Sequence, residues 1–380
     1  MTLAQARTGQ VADRDSARRF VDEYVLPRAT EFDRAGRVPE DVLAELSRAG
    51  LWAPFLPAGL GGSDVDMLTL GRIHEEIGRG CSSVRSLLTV HTMVTWAVRR
   101  WGTETQRAYW LPRFASGAAL GAFCLTEPGA GSDTARITTT ARRAGDGWTL
   151  DGVKKWITCG QRADVFLVFA KTGQGIAAFL VPSDASGVEV RPITDVLGTR
   201  ASMLAEVVLT GVETGPDALV GPDGFASGMV MSGTLDLGRF SVAAGSVGIV
   251  RACLDACVGY TSQRSVEGRP LRDFQLIKAK ITNMVTDLQA GRLLYERAGR
   301  LKDEGDAATI MATWVAKYFA STAAARHAGE AVQIHGANGF GPGHPVERLF
   351  RDSKVMEIIE GSSEVQQVTI ATQAYGEGVA

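Results

Sequence analysis

In MEIIEGSSE, at 356–364, Glu360 follows Ile358 and Ile359 and precedes Gly361 and two serines. A carboxylate beside apolar residues at a chain bend loses hydration, which raises its pKa and strengthens it as a base. A lone Glu is ordinarily a solvated surface residue, so the reading depends on what surrounds it. LTEPGAGSD at 125–133 joins closely spaced glycines, which let main-chain N–H groups approach a ligand, to the hydroxyls of Thr126 and Ser132. KKWITCG at 154–160 puts Trp156 and Thr158 two residues apart, so that on a strand they share one face and set an aromatic plane beside a hydroxyl, a surface suited to a stacked heterocycle. Arg264, then GRP and Phe274-Gln275 leading into a long helical pattern, and the Gly-rich VQIHGANGF at 332–340 offer the charge and helix ends that grip pyrophosphate. Singly, these are an ordinary turn, a core Trp and a solvated Arg.

Other active-site patterns fail. His74-Glu75-Glu76 begins like a zinc-protease motif, but Gly78 stands where the second His is needed. Gly129-Ala130-Gly131 begins like a dinucleotide fingerprint, but Thr134 replaces its third glycine and strand-like sequence follows. There is no Walker loop and no Gly-x-Ser-x-Gly elbow, and five His without a Cys pair predict no metal site. The 40 Lys+Arg nearly balance 42 Asp+Glu and neither sign clusters, which argues against a nucleic-acid partner. Cys81, Cys124, Cys159, Cys253 and Cys257 are an odd set, expected as reduced, mostly buried thiols in a cytoplasmic protein. No apolar signal core opens the sequence and no uncharged apolar run reaches the roughly 18 residues of a membrane span, so neither export nor a membrane partner is expected.

The elements that must position these residues fall into three blocks. Residues 1–120 read as helices, with stripes such as Val42, Leu43 and Leu46, or Leu87, Leu88, Val94, Val98 and Trp101; Gly50 and Gly102 are plausible stops, and Thr103 with Gln106 a capping box. Residues 121–232 change to short β-branched and aromatic runs between Gly-rich turns, predicting an antiparallel sheet or barrel. In 233–380 the helical period returns, with Phe274, Ile277, Ile281, Met284 and Leu288 on one stripe and Ile310, Trp314, Tyr318 and Phe319 on another, as in a bundle. The class is α+β, in three domains.

LTEPGAGSD, WIT, LDLGR at 235–239, QIHGANGF, RDSK at 351–354 and EGSSE stand in the order in which the acyl-CoA dehydrogenase family carries them, over about residues 10–375. The chain resembles that family. The resemblance implies a helical N-terminal domain, a middle β-barrel and a C-terminal four-helix bundle, with FAD bound between the last two and a neighbouring subunit of a homodimer or homotetramer. Phe123, Leu125, Thr126, Gly131 and Ser132, with Trp156 and Thr158, match residues around the flavin ring and pyrophosphate. Arg264, Gln275, Gln333 and Gly336 match residues that hold the adenine half from the partner, and Ser362 and Glu364 match contacts after the base. Asp236, Arg239, Gly361 and Ser132 match positions near the acyl thioester, and Glu360 the catalytic carboxylate that takes the α-proton as hydride leaves the β-carbon for flavin N5. Two residues depart from the pattern: Glu267 stands where the family has an aromatic, and Ala337 replaces a usual glycine. A carboxylate near pyrophosphate is repelled unless it turns outward.

CSSVRSLLTVHTM at 81–93, VGIVRACLDACVGY at 247–260 and KVMEIIEGSSE at 354–364 resemble most a subgroup acting on acyl carrier protein thioesters in polyketide extender-unit (hydroxymalonyl or methoxymalonyl) formation. That resemblance implies a short, oxygenated acyl group on a carrier protein. The alternatives are an ordinary short- or branched-chain acyl-CoA dehydrogenase, a flavin oxidase on the same fold and, more remotely, a non-catalytic helical scaffold. An electron-transfer flavoprotein is the acceptor the family implies.

Overall fold

The computed structural model describes residues 12–376. The chain opens with α1 (Arg14–Phe20), α2 (Ala29–Ala35), α3 (Glu40–Arg48), α4 (Met67–Gly80), α5 (Ser82–Trp101) and α6 (Glu104–Ser116). The strands follow: β1 (Gly121–Cys124), β2 (Thr140–Ala144), β3 (Gly147–Ile157), β4 (Val165–Thr172), β5 (Gly175–Pro182), β6 (Val188–Pro192), β7 (Ala205–Thr214) and β8 (Leu219–Val220). A π-turn at Ser227–Met231 leads into α7 (Ser232–Gln263); a small hairpin, β9 (Ser265–Val266) and β10 (Arg269–Pro270), separates it from α8 (Gln275–Glu304). The chain ends with α9 (Thr309–His335), α10 (Ala337–Phe340), α11 (Val346–Ile358) and α12 (Ser363–Ala374).

Local chemistry sets several boundaries. Thr103 and Gln106 form the reciprocal capping box that starts α6, and Gly102 ends α5. Gly50, just past α3, has φ +67°, which a residue with a Cβ resists. Between α1 and α2 the stripe of Phe20, Val21, Tyr24 and Val25 passes through a π-turn and a short 3-10 segment at Pro27, because proline supplies no N–H for a continuous helix.

The expected antiparallel barrel is a mixed sheet. Its hydrogen-bonded path runs β6-β7-β3-β2-β4-β5-β8, with β1 beside β4, and does not close. β1 and β2 each pair with β4 in parallel, and the other pairings are antiparallel. β1 arrives from the helical domain rather than from a hairpin, so nothing requires it to reverse direction. Both faces of β4 are buried: Val165, Leu167 and Phe169 join the core of the helical bundle, and Phe166, Val168 and Ala170 the core under α1–α3. The sheet thus ties the two helical blocks together.

α7 is the central helix. With its π-turn it is long and apolar enough to cross a membrane by length and composition, at mean hydropathy 1.5, yet 61% of that window is buried, as in a bundle's core helix. Its glycines let neighbours approach closely: a Cβ on Gly248 would lie 2.2 Å from the Glu75 carbonyl oxygen of α4. The Arg351–Asp33 pair (2.6 Å) and the Thr199 N–H donating to Asp352 (2.6 Å) fasten α11 to α2 and to the sheet.

Candidate active site

Glu360 sits in the turn between α11 and α12 with φ +57°, a left-handed conformation that costs a non-glycine residue about 1 kcal/mol or more and persists only where its surroundings enforce it. Three side chains do so through carbonyls. Arg239 Nε and Gln366 Nε2 donate to the Glu360 carbonyl (both 3.2 Å), while Lys317 Nζ and Gln366 Nε2 donate to that of Gly361 (2.6 and 3.2 Å). Ser362 then caps α12, accepting from the Val365 N–H.

The Glu360 carboxylate folds back onto α7, where a Cβ on Gly238 would lie 2.4 Å from Oε2. The residue as a whole is half-buried, but Oε2 is out of solvent contact and has no hydrogen-bond partner among the described residues. Burial pushes its pKa up to about 7, against the pull of Arg239, Lys317 and Arg85. It is therefore a pre-positioned base, strengthened by dehydration. Because the free carboxylate is the active form, kcat/KM with an acyl thioester is expected to rise through about pH 7 to a plateau and to fall about tenfold per unit below it; a profile flat down to pH 5 would contradict the assignment. Gly238→Ala is expected to displace the carboxylate and lower flavin reduction about 100-fold, while stability stays within about 1 kcal/mol because alanine favours a helix. Rapid-mixing kinetics and thermal melting check the two halves.

Arg239 stacks on Trp314 (4.1 Å) as it holds the turn, and Asp236, three residues earlier, is paired by Lys302 through Oδ2 while Oδ1 has no partner among the described residues. Asp236, Arg239, Glu360, Gly361 and Ser362 are thus gathered in one place, with Glu364 exposed on the first turn of α12.

The second group gathers at the sheet. Phe123 on β1 packs against Phe169 (5.0 Å), and Glu127 and Ala130 close a tight turn by mutual main-chain hydrogen bonds. Glu127 and Lys154 form a buried ion pair (2.7 Å), their side chains 1% and 0% exposed. Glu127 also accepts from the N–H groups of Thr138 and Thr139, and Lys154 donates to the Leu125 carbonyl. Burial opposes ionisation of Glu127, but the hydrogen bonds from Lys154, Thr139 and Thr138 outweigh it and hold the carboxyl at about 2. This clamp fixes the loop, leaving Thr126 half-buried and Gly131 and Ser132 exposed, with nothing within 4 Å of a Cβ built on Gly131.

Trp156 and Thr158 do not share a face by simple strand alternation. Trp156 has φ +62°, and the register of β3 against β7 shifts between Lys154 and Ile157. This bulge turns the indole outward to 52% exposure, with Thr158 half-buried in the following turn. An exposed aromatic plane, a hydroxyl and an open glycine loop fit a flavin ring and its phosphates.

The third group lies elsewhere. Arg264 caps the far end of α7, 25 residues after Arg239 (264 − 239), or about 38 Å along the axis. Gln275 opens α8, Gln333 is exposed on α9, and Gly336 ends α9 with φ +59°. The Tyr260 hydroxyl, donating to the His335 carbonyl (3.2 Å), ties these helix ends together. Glu267 lies exposed in the two-residue turn of the β9–β10 hairpin with φ +52°, followed by Gly268 at +77°, the pair of positive φ values a type I′ turn requires. Ala337 starts α10 and is exposed.

Sequence reading passed over Lys154, Glu127, Lys317, Gln366 and Arg85. Lys317 had a signal: it is the sole charge between Thr309 and Arg326, and burial pushes its pKa down to about 8 against the pull of Glu360. Among the described residues no group of acids, His and Cys could hold a metal ion.

A three-domain helix–sheet–helix fold with a buried carboxylate over a helical glycine defines a flavin-dependent acyl thioester dehydrogenase. The chain matches "Acyl-CoA dehydrogenase, N-terminal domain" over residues 8–118, the middle domain over 122–212 and the C-terminal domain over 224–375, and it belongs to the acyl-CoA dehydrogenase family. The mitochondrial short-chain specific acyl-CoA dehydrogenase of Bos taurus is 37% identical over 364 residues, covering 94% of this chain and 88% of that protein. A glutaryl-CoA dehydrogenase of Mycobacterium smegmatis in complex with FADH2 superposes with TM-score 0.92 at 31% identity, covering 96% of this chain and 94% of that one. FkbI, described as serving biosynthesis of the methoxymalonyl extender unit of the Fk520 polyketide immunosuppressant, superposes with TM-score 0.88 at 35% identity, covering 96% and 100%. The family's cofactor is FAD, and the two segments of the second group are those whose exposed indole, hydroxyl and open glycine loop would suit it.

Proposed function

We propose that this enzyme oxidises a short acyl thioester carried by an acyl carrier protein, as a step in forming a polyketide extender unit. The observation that carries the oxidation is the Glu360 carboxylate, dehydrated and unpartnered on Gly238. Glu360 removes the α-proton. Its own N–H, which takes no partner among the described residues, polarises the thioester carbonyl, and Arg239, Lys317 and Gln366 hold the turn so that both groups stay aligned. FAD, when bound, supplies the hydride acceptor. The likeness to FkbI at 35% identity along nearly the whole chain supports the carrier-protein reading. The 37% identity to a short-chain acyl-CoA dehydrogenase supports a second one, in which coenzyme A carries the acyl group.

The active unit is a homo-oligomer in this reading. Arg264 lies about 38 Å along α7 from Arg239 beside the base, and Gln275, Gln333 and Gly336 stand at the ends of α8 and α9, so in this reading a second copy brings them to the flavin. Leu276 and Phe340, next to them, are 79% and 77% exposed and are covered in such an assembly. Reoxidation falls to an electron-transfer flavoprotein, and the five unpaired, buried cysteines accord with the cytoplasm.

Anaerobic mixing of the FAD-loaded enzyme with matched acyl-CoA and acyl-carrier-protein thioesters tests the carrier. Flavin bleaching at least tenfold faster with the carrier-protein thioester is expected, and rapid bleaching by butyryl-CoA alone would sink that reading.

A further inference from the structure

Among the side chains that hold the carbonyls of the Glu360 turn, Arg239 keeps its charge and Gln366 is neutral, whereas Lys317 can gain and lose a proton. Lys317 lies inside α9 among the buried Thr313, Ala316, Ala320 and Ser321 and is itself 0% exposed. Its hydrogen bonds go to two main-chain carbonyls, those of Gly361 (2.6 Å) and Glu357 (3.4 Å). The last helical hydrogen bond of α11 runs from the Ile359 N–H to the Val355 carbonyl, so the Glu357 carbonyl has no partner within its own helix. A cation delivered from α9 therefore caps α11 at the end where the helix dipole favours positive charge.

One nitrogen thus joins the chain on both sides of the base. Glu360 and Gly361 are consecutive left-handed residues (φ +57° and +89°), and Arg239 and Gln366 reach only their carbonyls. Lys317 also ties the turn back to α11, which fixes the direction in which the Glu360 N–H and carboxylate point. The charges around it come from several elements. Glu360 lies in the turn, Arg239 on α7, Glu357 on α11, where Lys354 bonds it, and Glu364 on α12. On α8, Arg292, Glu296 and Lys302 are occupied with Glu75, Arg72 and Asp236, and α10 carries no charge. Burial pushes the Lys317 ammonium down to about 8, with Glu360 the strongest pull the other way.

We propose that Lys317 is a positioning residue whose ammonium locks the Glu360 turn to the end of α11, and whose neutral form lets the base and its N–H drift out of line. This rests on the dehydrogenase reading of Glu360 and adds an alkaline limit to it. A neutral amine still donates, but hydrogen bonds from a charged donor are about twice as strong, and the neutral group gains nothing from the helix end. The site is therefore fully competent when Glu360 has lost its proton and Lys317 has kept its own. Flavin reduction steps down above about pH 8 to a lower level. A step of about tenfold is expected, part of the roughly 100-fold that a 1 Å misplacement costs.

The test uses the FAD-loaded wild-type enzyme, Lys317→Met and Lys317→Arg, with butyryl thioesters of coenzyme A and of a carrier protein, from about pH 5 to about pH 10. Anaerobic rapid mixing reads flavin reduction, and calorimetry reads binding of the thioester whose carbonyl the Glu360 N–H receives. The wild type is expected to show the alkaline step in both. Lys317→Met is expected to run about 10- to 100-fold below the wild-type maximum, with no step above about pH 8. Lys317→Arg is expected to recover part of the rate and to stay level there as well, because a guanidinium keeps its proton. A wild-type profile without the step, a step that persists in either variant, or a Lys317→Met rate within about threefold of wild type would overturn the proposal. If no thioester bleaches the wild-type flavin, the dehydrogenase reading fails separately, since the binding profile still shows or lacks the step. Melting and FAD content report whether Lys317→Met folds; if it folds poorly, the step or its absence in Lys317→Arg decides.

Discussion

Glu360→Gln is expected to lower the rate of flavin reduction by an acyl thioester by on the order of 10³–10⁴-fold. The amide keeps the shape of the side chain over Gly238 but cannot accept the α-proton at the required strength. The turn survives, because Arg239, Lys317 and Gln366 hold it through the carbonyls of residues 360 and 361 and not through the carboxylate. FAD content, circular dichroism and thermal melting are therefore expected to stay close to wild type, and the rising limb near pH 7 to disappear from whatever rate remains. A variant that still bleaches its flavin within tenfold of the wild-type rate would remove Glu360 from the chemistry.

Lys154→Met should produce the largest change in stability. The substitution leaves Glu127 as a buried carboxylate held only by the Thr138 and Thr139 groups and frees the Leu125 carbonyl. Removing one member of a fully buried pair typically costs about 3–5 kcal/mol, because the remaining charge has lost its partner but not its burial. The loop carrying Thr126, Gly131 and Ser132 loosens with it, so FAD retention during gel filtration is expected to drop alongside the melting temperature. Lys154→Met combined with Glu127→Gln is expected to recover part of the stability, since no charge is then stranded. Unchanged melting and FAD retention in the single variant would show that the clamp does not organise this loop.

Periodicity and capping residues alone made much of this architecture legible. The α6 capping box, the stripe along α8 and the change from a helical to a strand pattern near residue 121 depend on neighbours in sequence, where side-chain spacing reports which face is buried. Sheet closure and strand direction were not legible, since β1 joins β4 in parallel through pairing between residues distant in the chain. The site divided along the same line. Glu360, Arg239 and the LTEPGAGSD loop could be picked out by residue type, order and resemblance to a family. The ordered alternation expected of Trp156 and Thr158 failed because a bulge with a positive φ intervenes, which strand periodicity does not reveal.

By itself, the sequence determined that a carboxylate, a glycine loop and a tryptophan exist at the right places in three domains, because local backbone preference and burial pattern are encoded within short windows. Only the tertiary structure decided that the carboxylate loses its water on Gly238, that Lys154 neutralises Glu127 beneath the loop, and that Arg239, Lys317 and Gln366 converge on the carbonyls of the Glu360 turn. Dehydration and charge pairing are properties of distances between segments far apart in the chain, and those distances are set when helices and sheet pack.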